Sequence, residues 1–274
     1  MFQRGWLAII MPITAPEFGK MKAESKSSNF EFLVVGAGRG GTSLLAALLD
    51  YHSRLEIGFE LFAQGYLMGA ARDARGPDML DVRAQSFVSA CIAEAKRFPG
   101  QLWGNKITTE QIYGLEDHNR ANSDHQIDVL DRFFNGFLSA IKVVFILRDG
   151  RACIESKVAR TGQTMELACA RWRYSVRVLR FLQVRHANNC CVRFEELLER
   201  PESVLTEICT FLGVPYEQRM LGGVGNPKIL PEYRQGTLDR SRAVAGLIPD
   251  DYLNQIRGDL AYCGYLTESR NNHL

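Results

Sequence analysis

Between Leu33 and Asp50 the chain reads LVVGAGRGGTSLLAALLD, and its glycines, arginine and hydroxyls are the residue types that hold a phosphate. Gly36, Gly38 and Gly41 make a G-x-G-x-x-G. Gly36, Gly41, Thr42 and Ser43 also make most of a G-x-x-x-x-G-K-[ST], with Thr42 in the lysine slot. A glycine turn running into a helix N-terminus aims successive N–H groups at an anion. Three chemistries use such loops. A dinucleotide fold needs an acid about 20 residues on, at the end of a firm second strand. Glu56 and Glu60 have that distance, but RLEIGFE is a poor strand interrupted by Gly58. A nucleotide kinase or ATPase needs the loop lysine on the β- and γ-phosphates. Here the cation is Arg39, and the apolar run ending at Leu147 is followed by Arg148-Asp149 rather than a Walker B acid. The third chemistry fits these departures. Arg39 in mid-turn, followed by Gly40, Gly41, Thr42 and Ser43, cradles a nucleotide 5′-phosphate without Mg²⁺.

A second group lies in FILRDGRACIESKVAR. Arg148 follows the apolar run, Ser156 comes eight residues later and Arg160 four after that. An arginine fork binds phosphate bidentately, and residues four apart share a helical face. Alone, Arg148 reads as a partner of Asp149; with the loop, it reads as a second phosphate contact. Among the histidines, His52 closes the first helix and reads as structural. His118 and His125 fall in the polar stretch LEDHNRANSDHQ, an exposed loop or lid, and His186 lies further on. The run RWRYSVRVLRF reads as a helix with a solvated basic face rather than an RNA site.

These residues need elements to position them. FEFLVVG reads as a buried strand and TSLLAALLDYH as a buried helix. Leu55 to Leu61 is a faint strand candidate, and Val82 to Phe98 has helical spacing. QLWGNKI presents an isolated lysine, Lys106, after an apolar pair. Lys142 to Leu147 is the clearest strand, its unbroken apolar character matching a central parallel strand covered on both faces. RACIESKVAR and MELACARWRYSVRVLRFLQ read as helices. A last strand, a turn and an amphipathic helix closed by Gly213 follow. Strands alternating with helices predict an α/β, three-layer P-loop-like domain with a central parallel sheet.

The 274 residues suit one domain, and the net charge of +2 excludes a broad electrostatic grip on nucleic acid. Seven scattered cysteines without C-x-x-C spacing predict reduced, mostly buried thiols and a cytoplasmic location. The apolar run from Gly5 to Ala15 is too short to span a bilayer, and no membrane span is expected. Residues 1–29 read as a flexible N-terminal extension, within which Met21 is a candidate start, and 30–274 as a single domain.

The loop GAGRGGTSLL resembles the 5′-phosphosulfate loop of the sulfotransferases, and the spacing of Arg148 and Ser156 resembles that family's 3′-phosphate contacts. Arg160 matches a further basic residue of the tyrosylprotein-sulfotransferase-like branch. LLDYHSRLEIGFELF is similar to that branch's segment with the catalytic glutamate, which falls on Glu60. LWGNKITTE is similar to its Asn-Lys motif, which falls on Lys106. The similarity extends from about Glu31 to Tyr265. It departs at Gly38 and Gly40, where the family often has Pro and Ser. It departs again at Gly225, Asn226 and Pro227, where the related branch carries serine. Arg240, Ser241 and Arg242 are candidates to close over the nucleotide from the C-terminal side.

The resemblance implies a donor, 3′-phosphoadenosine 5′-phosphosulfate, a product, adenosine 3′,5′-bisphosphate, and no metal. In-line sulfuryl transfer spreads negative charge over sulfate and leaving phosphate, so positioning and charge stabilisation carry it. Arg39, Gly40, Gly41, Thr42 and Ser43 then hold the leaving phosphate, and Arg148, Ser156 and Arg160 the 3′-phosphate. Lys106 meets the transferring group, and Glu60 takes the acceptor's proton as general base, with His52, His118, His125 and His186 as the alternatives because other branches of the family use histidine. The acceptor is a hydroxyl or amine on a small molecule, sugar or peptide, seated by 62–100, 110–135 and the C-terminal part. A homodimer is a further candidate association. The alternatives are a P-loop nucleotide kinase and a catalytically inactive nucleotide-binding interaction protein.

Overall fold

The computed structural model describes residues 29–266, apart from 77, 78, 230, 232, 233, 235, 236 and 245. The expected extension therefore lies almost wholly outside the described residues. Five parallel strands form one sheet: β1 (Phe30–Gly36), β2 (Leu55–Phe59), β3 (Leu102–Thr108), β4 (Lys142–Leu147) and β5 (Asn189–Arg193), in the order β2-β3-β1-β4-β5. Strand alternation divides the core in two. Leu33, Val35, Val143 and Phe145 face one apolar layer. Phe32, Val34, Val144 and Ile146 face the other. That split is the period-2 signature of a strand covered on both sides.

Helix α1 (Thr42–Asp50) leaves the β1 loop, and α2 (Leu80–Ala95) covers the opposite face. The short α3 (Thr109–Tyr113) follows β3, and α4 (Asp117–Ala121) comes next. Helices α5 (Gly150–Thr161) and α6 (Met165–Arg185) follow β4. After β5 come α7 (Phe194–Glu199) and α8 (Pro201–Leu212), the latter ended by Gly213 at φ 84°. Helix α9 (Asp250–Tyr262) closes the described chain. Leu45, Leu48 and Leu49 of α1 are fully buried, and Trp172 of α6 is 1% exposed.

Two strands depart from the sequence expectations. QLWGNKI carried no strand assignment, yet it is β3, paired to both β1 and β2. Its pattern is broken by Gly104, Asn105 and Lys106, all buried. A Cβ on Gly104 would lie 2.4 Å from the Phe32 ring, so the glycine admits a close neighbour. The faint β2 is real but short, an edge strand. A Cβ on its Gly58 would meet Leu61 at 2.8 Å and Trp103 at 3.0 Å. No described helix is long and apolar enough to cross a membrane.

Candidate active site

The loop after β1 begins as a tight turn in which Gly40 N–H donates to Ala37 O at 2.8 Å. Arg39 has φ 72° and Gly38 is not among the positive-φ residues. A closed turn with only its third residue left-handed is a type II turn. Gly41 follows at φ 95°, and a Cβ there would sit 2.2 Å from the Phe194 ring, so only glycine fits. The start of α1 has neither a side-chain cap nor an acidic residue in its first turn. Its amides and dipole thus favour an anion supplied from outside.

Arg39 Nε donates to Ser156 Oγ at 3.1 Å. Arg148 is buried, and its guanidinium lies 4.5 Å over the Phe194 ring. Its Nη1 donates to Arg39 O at 2.9 Å and its Nη2 to Arg242 O at 3.0 Å, while Nε is buried without a partner. The structure thus brings Arg39, Gly40, Gly41, Thr42, Ser43, Arg148 and Ser156 to one end of the sheet. Arg160 stands on the exposed face of α5. Arg242 reaches Arg148 through its backbone, whereas Asp239 caps the segment's first turn by accepting from Ser241 N–H.

Glu60 follows β2 with φ 61°, and Phe62 has φ 66°. Two left-handed side-chain residues two positions apart mark strain that the neighbours must hold. Glu60 N–H donates to Lys106 O at 2.7 Å, and Asn105 Nδ2 donates to Leu61 O at 2.8 Å. The Lys106 ammonium pairs with Glu60 Oε1, and Gln111 Nε2 donates to Glu60 Oε2 at 2.8 Å. Lys106 is 5% exposed at its side chain and Glu60 41%, so the carboxylate faces outward from a buried cation. Lys106 is level with Val34 of β1, two residues before Gly36. It therefore lies roughly 7 Å short of the loop along the strand direction.

Helix α3 joins the two halves. Its Gln111 closes a capping box, accepting from Thr108 N–H at 2.8 Å, and holds Glu60. Its Glu110 accepts from Gly38 N–H at 3.1 and 2.9 Å and pairs with Lys157 of α5. Glu110, Gln111, Lys157, Asn105 and Phe194 were not singled out from sequence. The T-x-x-Q pattern of Thr108 to Gln111 signals the cap, but nothing local signals that Gln111 also reaches Glu60. A groove of about 440 Å³ beside Glu110 is lined by Tyr113, Arg171, Arg173, Tyr174 and Arg177. It thus involves α6, which the expected acceptor segments left out.

The histidines stand elsewhere. His52 closes the far end of α1, where Nδ1 accepts from Arg54 N–H at 2.9 Å and Nε2 lies 2.6 Å from Pro215 O. That pattern fixes the Nε2–H tautomer and a structural role. His186 bonds Asn135 Oδ1 at 2.9 Å, and burial lowers its pKa. His118 is half-buried on α4 and His125 exposed beyond it. Burial pushes the Cys153 thiol up to about 12 despite Arg148 and Lys157 nearby, which leaves it a poor nucleophile. Glu56, the other candidate ribose acid, is paired with Lys228.

A parallel three-layer α/β sheet whose first strand runs through a glycine turn into a helix N-terminus has the P-loop-like fold. The model of the Sulfotransferase family matches residues 31–218, and the chain belongs to that family, whose enzymes move a sulfuryl group. It is similar to a "Putative protein-tyrosine sulfotransferase" of Caenorhabditis briggsae, with 24% identity over 71% of this chain and 70% of that one. Its fold is similar to the sulfotransferase domain of the curacin biosynthetic pathway, with TM-score 0.55, 17% identity, and 84% of this chain and 96% of that one covered. The sulfotransferase domain of the Synechococcus PCC 7002 olefin synthase is similar at TM-score 0.56 and 17% identity, over 85% and 94% of the two chains.

Proposed function

We propose that the protein transfers the sulfuryl group of 3′-phosphoadenosine 5′-phosphosulfate to a hydroxyl or amine acceptor, with Glu60 as general base. The observation that carries this reading is the Glu60–Lys106 pair, joined through α3 to the glycine turn that opens α1. The residues present fit such a donor. Arg148 Nε is buried without a partner, and the amides opening α1 have no side-chain acceptor. When bound, the donor supplies an activated sulfuryl group on a good leaving phosphate.

The chain's residues then divide the work. Arg39 and the amides of Gly41 to Ser43 hold the 5′-phosphate, with Gly40 closing the turn through its own N–H, while Arg148 and Ser156 serve the 3′-phosphate, with Arg160 at the rim. Lys106 balances charge growing on the sulfuryl oxygens, which is most effective in a buried setting. The Glu60 carboxylate, fixed by Lys106 and Gln111, accepts the acceptor's proton. The strained backbone at Glu60 and Phe62 keeps that carboxylate aimed outward. No metal enters this scheme, because Arg39 and Lys106 carry the positive charge. The groove beside Glu110 is the candidate acceptor seat.

The test is a screen of alcohols, sugars, amines and tyrosine peptides with labelled phosphosulfate donor, run with and without EDTA. Transfer that survives EDTA, and stabilisation by adenosine 3′,5′-bisphosphate well above that by 5′-AMP, are expected. Equal stabilisation by the two nucleotides would remove the 3′-phosphate site. Transfer lost to EDTA and restored by Mg²⁺ would overturn the metal-free scheme.

A further inference from the structure

The turn that presents Arg39 is built from residues that do not hold such a turn by themselves. A type II turn favours proline at its second residue and glycine at its third. This chain has them otherwise, with Gly38 second and Arg39, at φ 72°, third. Glycine in the second position adds freedom that the fold must remove, and a side chain in the left-handed third position carries a steric cost. The sulfotransferase pattern often has proline where Gly38 stands, and a proline has no N–H to give.

That additional N–H is where the structure acts. Gly38 N–H donates to both oxygens of Glu110, at 3.1 and 2.9 Å, across 72 residues of chain. The carboxylate is 13% exposed and pairs with Lys157, whose side chain is 5% exposed. A Cβ on Gly38 would lie 3.0 Å from Glu110 Oε1, so carboxylate and proline ring compete for one space. Ser156, the neighbour of Lys157 on α5, accepts from Arg39 Nε. One turn of α5 therefore holds the loop twice, through Lys157 and Glu110 on the backbone and through Ser156 on the side chain.

We propose that Glu110, held by Lys157, is a positioning residue that locks the Gly38–Arg39 turn in its phosphate-binding shape, replacing the rigidity that a proline gives. The effect on nucleotide affinity rests on the reading of the loop given above; the effect on the loop itself does not. Without the clamp the turn populates other shapes, and affinity falls with the fraction still competent.

The experiment uses the full chain and two readouts. Hydrogen exchange of the peptide covering 36–43 reports loop order without ligand, and titration with adenosine 3′,5′-bisphosphate reports affinity. E110A/K157M removes both charges together, which avoids stranding a buried ammonium. Its loop is expected to exchange faster and its affinity to drop roughly tenfold to a hundredfold, the weight of one charge-assisted hydrogen bond. Adding Gly38→Pro to that pair should restore slow exchange and most of the affinity. Gly38→Pro alone should weaken binding, because the ring meets the intact carboxylate. Glu110→Gln, equal in size and without charge, should fall between wild type and the double variant if the latter folds poorly.

Unchanged exchange and affinity in E110A/K157M would overturn the proposal. So would failure of the proline to rescue a folded triple variant. Tighter binding in E110A/K157M would instead make Glu110 a placeholder competing with the ligand's phosphate. If wild type binds no bisphosphate, the nucleotide reading fails, and loop exchange still decides the clamp.

Discussion

Replacing Glu60 by glutamine keeps the side chain's length and removes its capacity to take a proton. In the structure both carboxylate oxygens are engaged, Oε1 by the Lys106 ammonium and Oε2 by Gln111 Nε2. A glutamine presents one oxygen and one NH₂ to those two donors, so one contact is lost and solvent takes its place. Because Glu60 is 41% exposed, the folding cost is that of a screened pair, about 0–1 kcal/mol. That corresponds to a melting shift of at most a few degrees. The catalytic cost is larger. A general base contributes ~10²–10⁴-fold, or about 3–5 kcal/mol of barrier at 1.36 kcal/mol per decade.

Lys106→Met keeps the buried stem and loses the charge. It should cut kcat by roughly 10²–10³, the scale of one donor to a developing anion. For both variants the assay pairs steady-state transfer to a working acceptor with titration by adenosine 3′,5′-bisphosphate, and nucleotide affinity should stay near wild type. This separation of kcat from binding marks groups that act in the transition state. A full rate in Glu60→Gln would refute its role as base and turn attention to His118 and His125. Loss of nucleotide binding in both variants would show that the pair holds the nucleotide or the fold instead.

Arg148→Ala should act oppositely, weakening the bisphosphate by about 1.5–3 kcal/mol with little change in 5′-AMP affinity, measured by calorimetry; equal losses for both nucleotides would place Arg148 at the 5′ end. Gly41→Ala forces a Cβ to 2.2 Å from Phe194 at φ 95°. It should abolish nucleotide binding and lower the melting temperature, and a variant with normal binding would contradict the fixed loop. The seven cysteines are free, six of them buried. Burial raises Cys153, Cys190 and Cys191 to about 12, and Cys209 and Cys263 to about 11. At pH 8 a thiol of pKa about 12 is only ~10⁻⁴ ionised, so alkylation of the native protein followed by mass spectrometry should stay slow until denaturant is added; rapid labelling of any of these five would contradict their burial.

Short-range signals in the sequence determined much of this protein. The run from Leu33 to Ser43 is strand, turn and helix within a dozen residues, and its glycines mark the turn locally. Val143–Leu147 is apolar without interruption, so its place in the sheet interior followed from hydropathy alone. β3 did not, because three consecutive residues that look wrong for a buried strand, Gly104, Asn105 and Lys106, are there for close packing and for the site. The tertiary structure alone decided who meets whom. Arg39 finds Ser156 across 117 residues, Gly38 finds Glu110 across 72, and Gln111 finds Glu60 across 51. Each side chain is ordinary in its own segment, and its role arises from the parallel crossovers that bring the ends of β1, β2, β3 and β4 to one edge. A local pattern records what a segment buries. It does not record which distant segment satisfies the polar groups that the segment leaves over.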